Sequence, residues 1–149
     1  MKGLVARQSV SIRAPPAEVW KALTDPDLIR QYLFGTEATS DWKAGSQIRY
    51  RGTWEGKAYE DKGVVLRAEP GKMLETTYWS SMSGLPDIPG NYRLVRYELT
   101  PEKGGGTLLT VTQDNNPTEE GRAHAEGNWK VVLEGLKRLL ETGRSPGST

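Results

Sequence analysis

Ile12-Arg13-Ala14-Pro15-Pro16-Ala17-Glu18-Val19-Trp20-Lys21-Ala22-Leu23-Thr24-Asp25-Pro26 is where the chain first changes its hydrophobic period. Upstream, residues 4–13 alternate, with Val10 and Ile12 on one side and Ser9, Ser11 and Arg13 on the other. That alternation predicts a half-buried strand. Pro15-Pro16 halts it, and proline is tolerated in a first helical turn. Val19, Trp20 and Leu23 then fall at i, i+1 and i+4 and predict a short helix with one apolar side. Asp25-Pro26 ends that helix, because the residue before a proline is pushed out of the α region. A second short helix over about residues 26–33 buries Leu28, Ile29, Tyr32 and Leu33.

Beyond Gly45 the period becomes two. Ile48, Tyr50, Gly52 and Trp54 share one strand face, and Arg49, Arg51, Thr53 and Glu55 share the other. Further strands are expected at about 59–68, 73–79, 92–100 and 107–113, with Pro70-Gly71 and Gly104-Gly105-Gly106 as turns. Ser80 to Gly90 is a loop longer than the usual four to six residues or so. Thr118, followed by Glu119 and Glu120, has the form of a helix N-cap with an acidic first turn. Trp129, Val132, Leu133, Leu136, Leu139 and Leu140 then lie within about 120° of arc, a well-defined apolar stripe. Gly143 is a natural helix stop. The expected order is a strand, two short helices, about five or six antiparallel strands and one long helix.

Composition narrows the chemistry. The 149 residues carry 20 Lys+Arg against 19 Asp+Glu, one His and no Cys. The length suits one domain over residues 1–142, with 143–149, rich in Ser, Gly and Pro, read as a disordered tail. Without cysteine, a disulfide framework, a thiol nucleophile and a zinc-thiolate site are excluded. A lone histidine excludes a multi-histidine metal centre, and the expected cofactor list is empty. A net charge of +1 gives no electrostatic footprint for nucleic acid. No apolar run approaches the roughly 20 residues that span a bilayer. The N-terminus lacks the apolar core of a signal peptide, so a cytoplasmic location is expected. The positive oddity is five Trp and six Tyr beside a single Phe.

The motifs resemble those of the START-like superfamily called SRPBCC, and in it the activator of heat-shock-protein-90 ATPase homologue family. The opening stretch resembles the family signature of Val-Trp-x-Ala-Leu-Thr-Asp after an isoleucine and an alanine. Trp42-Lys43-Ala44-Gly45-Ser46, Leu74 to Trp79, Gly106 to Val111 and Gly127-Asn128-Trp129 with Val132 to Glu141 follow in order. The resemblance spans about residues 5–142. It implies an α+β helix-grip (Bet v-like) fold, a curved antiparallel sheet of about six strands around a long C-terminal helix. It also implies an elongated cavity between sheet and helix. Two departures are Tyr32, where many members have a tryptophan, and the long Ser81–Gly90 excursion, a candidate lid or mouth rim.

Several residues invite a chemical reading. His124 sits about 120° from the centre of the helical stripe and is expected to face solvent, which leaves a Ser-His-Asp triad without support. Arg122 and Ala125 project onto the stripe side. Arg122 either serves as a polar handle for an anionic ligand group or pairs with an acid such as Asp114. Glu60 and Asp61, adjacent on a strand, point to opposite faces and form no dyad. Together with Arg49 and Arg51, most of them are expected at solvent-facing positions.

Within the implied fold, the tyrosines and tryptophans suit a pocket wall, since they supply polar tips without buried charge. The expected lining is Trp20, Tyr32, Tyr50, Trp54, Tyr78, Tyr97, Arg122, Ala125 and Trp129. The favoured function is binding of an apolar or aromatic small molecule, lipid-like or polyketide-like, in a cavity larger than a few waters. A polyketide cyclase or aromatase using Tyr and Arg groups is the alternative, and the sequence favours binding over catalysis. A co-chaperone role ranks third, because relatives that stimulate the chaperone ATPase carry an additional N-terminal domain and this sequence opens almost at its first strand. Monomer and homodimer are both left open.

Overall fold

A strand that is apolar on one side needs a cover, and the long amphipathic helix at the C-terminal end supplies it. The computed structural model describes residues 1–143. In order these form β1 (Leu4–Ile12), α1 (Pro16–Thr24), α2 (Pro26–Tyr32), β2 (Glu37–Thr39), β3 (Gln47–Trp54) and β4 (Lys57–Glu69). After these come β5 (Met73–Tyr78), a 3-10 turn at Pro89–Asn91, β6 (Arg93–Pro101), β7 (Thr107–Asn116) and α3 (Glu119–Thr142). One antiparallel sheet has the order β1-β7-β6-β5-β4-β3-β2. The helix-grip arrangement expected from the sequence is present. The strand count is seven because of β2, an edge strand of three residues that is too short to display alternation.

The helix ends follow from local chemistry. Thr118 Oγ1 accepts a hydrogen bond from Gly121 N at 3.0 Å, and Glu119 and Glu120 complement the first turn. Gly143 closes α3 in the left-handed region at φ 73°, which glycine adopts without a side-chain clash. Asp25 caps α2 by accepting from Asp27 N at 2.9 Å. Residues 144–149, most of the tail expected from the sequence, lie outside the described residues.

The apolar interior has two parts. Leu133, Leu136 and Leu139 of α3 pack with Ile12, Val19, Leu99, Leu109 and Val111 in a large cluster. Ile48, Val65 and Leu74 form a smaller one under the far half of the sheet. Four half-buried rings, Trp20, Trp42, Tyr50 and Tyr97, pack against both clusters and make a seam between them.

Polar contacts tie α3 to β1. Glu141, with its side chain 8% exposed, accepts from Arg13 N at 2.8 Å and from Lys137 Nζ at 2.7 Å. Burial pushes this carboxyl up, but the bonds from Lys137 and the Arg13 backbone outweigh it and hold the group below its ordinary value of 4.5. Glu126 is held low by Arg7 N and by Arg122.

Two outcomes follow from this packing. Leu136→Ala removes a fully buried side chain and costs about 2–5 kcal/mol in urea denaturation, whereas Val131→Ala, at a position 55% exposed, stays within about 0.5 kcal/mol. Because the Glu141 value is lowered on folding, its stabilisation is complete above pH 4.5 and is lost as the pH falls below that. The difference in melting temperature between wild type and Glu141→Gln is therefore widest near neutrality and closes in acid; a pH-independent difference would show that Glu141 acts through packing alone.

Candidate ligand-binding interior

Directly paired residues of antiparallel strands share a face, so the register defines the side of the sheet that looks toward the helices. Tyr50 pairs with Asp61, Leu74 with Tyr97, Thr76 with Val95, and Tyr97 with Val111. Val95 also pairs with Gln113. The inner face thus carries an apolar floor crossed by a row of polar tips.

At the seam lies a small cavity of about 20 Å3, lined chiefly by Tyr32, Leu33, Trp42, Tyr50, Leu74 and Tyr97. That is room for about one water, well short of the ligand-sized cavity expected from the sequence. The larger concavity, about 290 Å3, is a shallow open groove outside α2 and β2, bordered by Arg30, Glu37, Thr39 and Ser40. It holds none of the expected lining residues.

The expected residues divide into groups. Tyr32, Tyr50 and Tyr97 meet at the cavity, and Trp20 packs in the adjoining seam. Tyr32 is 4% exposed and donates from its hydroxyl to Ala22 O at 2.8 Å, pinning α2 to α1. Tyr78 meets Tyr50 edge-on at 6.0 Å, and Trp129 meets Tyr97 edge-on at 5.8 Å. Trp129 Nε1 donates to Gln113 Oε1 at 2.8 Å, fixing the ring between α3 and β7. Ala125 is buried on α3 one turn before Trp129. Trp54 belongs to β3, in the same alternation as Tyr50, and its side chain lies outside the described residues.

Arg122 stands apart. Its guanidinium is held by Glu119 and by Glu126, the latter at 2.8 Å, so the pairing with Asp114 suggested by the sequence does not occur. Asp114 instead accepts from Lys2 N and Leu94 N, at 2.9 and 2.6 Å. The reason is helical spacing: acids three before and four after an arginine on one helix reach it without any tertiary cost. His124 is exposed, as its place on the wheel predicts.

Two residues escaped the sequence reading. Trp42 lies in a connection with no periodic signal, in the left-handed region at φ 57°. Its ring lines the cavity, and its buried Nε1 has no hydrogen-bond partner among the described residues. Asp61, expected among mostly solvent-facing charges, is 9% exposed on the inner face. Its Oδ2 accepts from Tyr78 hydroxyl at 2.6 Å and its Oδ1 from Ser81 N at 3.2 Å. Glu60 does face outward, paired with Arg49 and Arg51. The signal available for Asp61 was its parity with Tyr50 across the hairpin, which strand boundaries alone could have revealed.

Burial raises all four inner phenols, Tyr32, Tyr50, Tyr78 and Tyr97, and the negative charge of Asp61 adds to the rise at Tyr50 and Tyr78. They remain neutral hydrogen-bonding groups through the ordinary tyrosine range. Among the described residues no cluster of three or more His, Asp or Glu could hold a metal ion. No helix there is long and apolar enough to cross a membrane.

A family model described as Activator of Hsp90 ATPase homolog 1-like protein matches residues 13–141. A solution structure of a Cytophaga hutchinsonii protein is 46% identical, covers 96% of this chain and 98% of its own, and superposes with a TM-score of 0.83. DynU16, a protein in the dynemicin biosynthetic locus, is 25% identical over 95% of this chain and 48% of its own, with a TM-score of 0.78. The Aha1 dimer from Colwellia psychrerythraea, at 20% identity, 95% and 99% coverage and a TM-score of 0.74, shares the fold. No curated protein matches the chain.

The two tyrosine–aspartate pairs give a controlled comparison. Tyr78→Phe leaves a buried carboxylate short of one donor and costs about 1–3 kcal/mol. Tyr92→Phe removes an exposed bond to Asp87 and costs well under about 1 kcal/mol in the same urea titration. Equal effects would mean that Asp61 does not depend on the Tyr78 hydroxyl.

Proposed function

The chain belongs to the Activator of Hsp90 ATPase homolog 1-like family, and from that premise we propose that it binds a small apolar or aromatic molecule between the sheet and the helices. The observation that carries this reading is the aromatic seam: four half-buried rings pack against both apolar clusters, and one of them, Trp42, holds a buried N–H with no acceptor among the described residues. An unmet buried donor costs about 1–3 kcal/mol, which a carbonyl or ether oxygen on a ligand would recover. The similarity to a protein in a biosynthetic locus, that of dynemicin, is consistent with a small organic ligand.

Binding requires the rings to part. The wall that moves is the α2–β2 segment, made of a seven-residue helix and a three-residue edge strand. Phe34 and Gly35 join them in the left-handed region, at φ 54° and 82°, and Phe34 is 62% exposed. Short elements open before long ones, even though this segment places Ile29, Tyr32 and Ala38 in the core. Tyr32, Trp42, Tyr50 and Tyr97 then form the first wall around the ligand, with Trp20, Tyr78, Ala125 and Trp129 behind them. Trp54 joins this wall by strand parity, and Arg122, engaged in two ion pairs, is assigned no ligand contact. The protein acts as a cytoplasmic carrier or sensor of its ligand.

Titration with N-phenyl-1-naphthylamine, a neutral fluorescent aromatic, tests the proposal. Saturable one-to-one binding is expected, with amide shift changes concentrated at Trp42, Tyr50 and Tyr97. If the open form is about 1% of molecules, apparent affinity is about 100-fold weaker than intrinsic affinity. Tyr32→Phe, which frees α2 from Ala22, should then lower the melting temperature while tightening the probe. Unsaturable binding, or shifts confined to the outer sheet face, would overturn the reading.

A further inference from the structure

We propose that Asp61, flanked by the rings of Tyr50 and Tyr78, is the recognition point for a protonated amine carried by the aromatic ligand. The inference rests on the interior being the binding site and adds the ligand's charge class to it. Asp61 lies on the inner face directly across from Tyr50, and its two oxygens are held by Tyr78 hydroxyl and Ser81 N. Those bonds use two of the roughly four acceptor positions of a carboxylate.

No cation pairs with Asp61 among the described residues. Its neighbours in sequence and register are committed elsewhere: Lys62 turns to the outer face and pairs with Asp87, and Arg49 and Arg51 pair with Glu60. A buried carboxylate without a counter-charge is costly unless a partner arrives. The two phenol rings that meet edge-on beside it provide the π-faces that attract ammonium groups. A carboxylate with aromatic rings around it therefore selects an organic cation over a neutral molecule, and a neutral molecule over an anion.

Arg93 is the competing group. It pairs in register with Tyr78, so it lies on the same face, and it makes no ion pair among the described residues. It is only half-buried, where charges are screened and contribute little. The nearly buried Asp61 acts at lower effective dielectric and dominates.

Three naphthalene probes of matched size decide the question by calorimetric titration at neutral pH: 2-(1-naphthyl)ethylamine, 1-ethylnaphthalene and 1-naphthaleneacetate. Wild type should bind the amine about tenfold tighter than ethylnaphthalene, the gain of one charge-assisted bond, and the acetate weakest. Asp61→Asn should bring amine and ethylnaphthalene within about twofold of each other while leaving ethylnaphthalene binding intact. The carboxyl carbon resonance of Asp61 in the wild-type chain should move with the amine and not with ethylnaphthalene, a readout that does not need the variant to fold. An amine preference that survives Asp61→Asn, or tightest binding of the acetate, overturns the assignment. Ethylnaphthalene binding with no amine preference overturns it while sparing the interior as a binding site. Failure of all three probes to bind overturns both.

Discussion

The burial of the α3 leucine stripe on the sheet is the interaction on which the rest depends. Leu133, Leu136 and Leu139 require an apolar floor, and β1, β6 and β7 supply it with Ile12, Leu99, Leu109 and Val111. One helix, however, covers only part of a seven-stranded sheet. The inner face of β3, β4 and β5 must be closed by something else, and the chain uses α1, α2 and Trp42. Because these elements are short, closure there relies on large rings instead of a second long helix. The division of the interior into two clusters with an aromatic seam follows directly from this geometry.

Rings with polar tips make that seam chemically specific. Tyr32, Tyr78 and Trp129 each spend their hydrogen-bonding group on a definite partner, and each partner ties two elements together. Phenylalanine would pack equally well but would leave those ties unmade, which accounts for a chain with eleven Trp and Tyr beside one Phe. The outer face handles charge differently. There Arg49, Arg51 and Glu60 form pairs near water, and such pairs contribute little individually, while the buried Glu75 is paired with Arg96 at 2.7 Å. Asp61 and Asp114 are both buried acids without an accompanying cation among the described residues; Asp114 is held by two backbone N–H groups, and Asp61 faces the aromatic seam.

Elements with a sustained period were legible in the sequence. The α3 stripe, the Thr118 cap, the Gly143 stop and the alternation through β3 to β7 all rest on local rules that tertiary packing did not override. What could not be read was decided by pairing or by isolated residues. The strand β2 spans too few positions to show a period, and it exists because β3 offers an edge. Trp42 opens a family motif but has no hydrophobic period around it, and its place in the cavity wall depends on a left-handed backbone between β2 and β3. Arg122 projected onto the stripe side of the wheel, yet its own helix supplied both counter-charges. The face of Asp61 became evident only once its register with Tyr50 was known.

A closed interior is the less costly arrangement for a domain of this size. A dry cavity of drug-like volume, about 300 Å3, would cost about 7 kcal/mol at about 24 cal/mol per Å3. That is comparable to the whole stability of a typical small domain, about 5–15 kcal/mol. Held open and empty, such a space would consume much of that stability, so neighbouring side chains fill it. Aromatic rings on short elements give this outcome: they collapse to a residual space of about 20 Å3 and keep the two clusters in contact. The proposed function requires the same rings to turn outward when a ligand offers equivalent contact area. On the proposed function, a closed interior and an aromatic binding site are two consequences of one arrangement, with affinity set by how much better a ligand fits the seam than the rings fit each other.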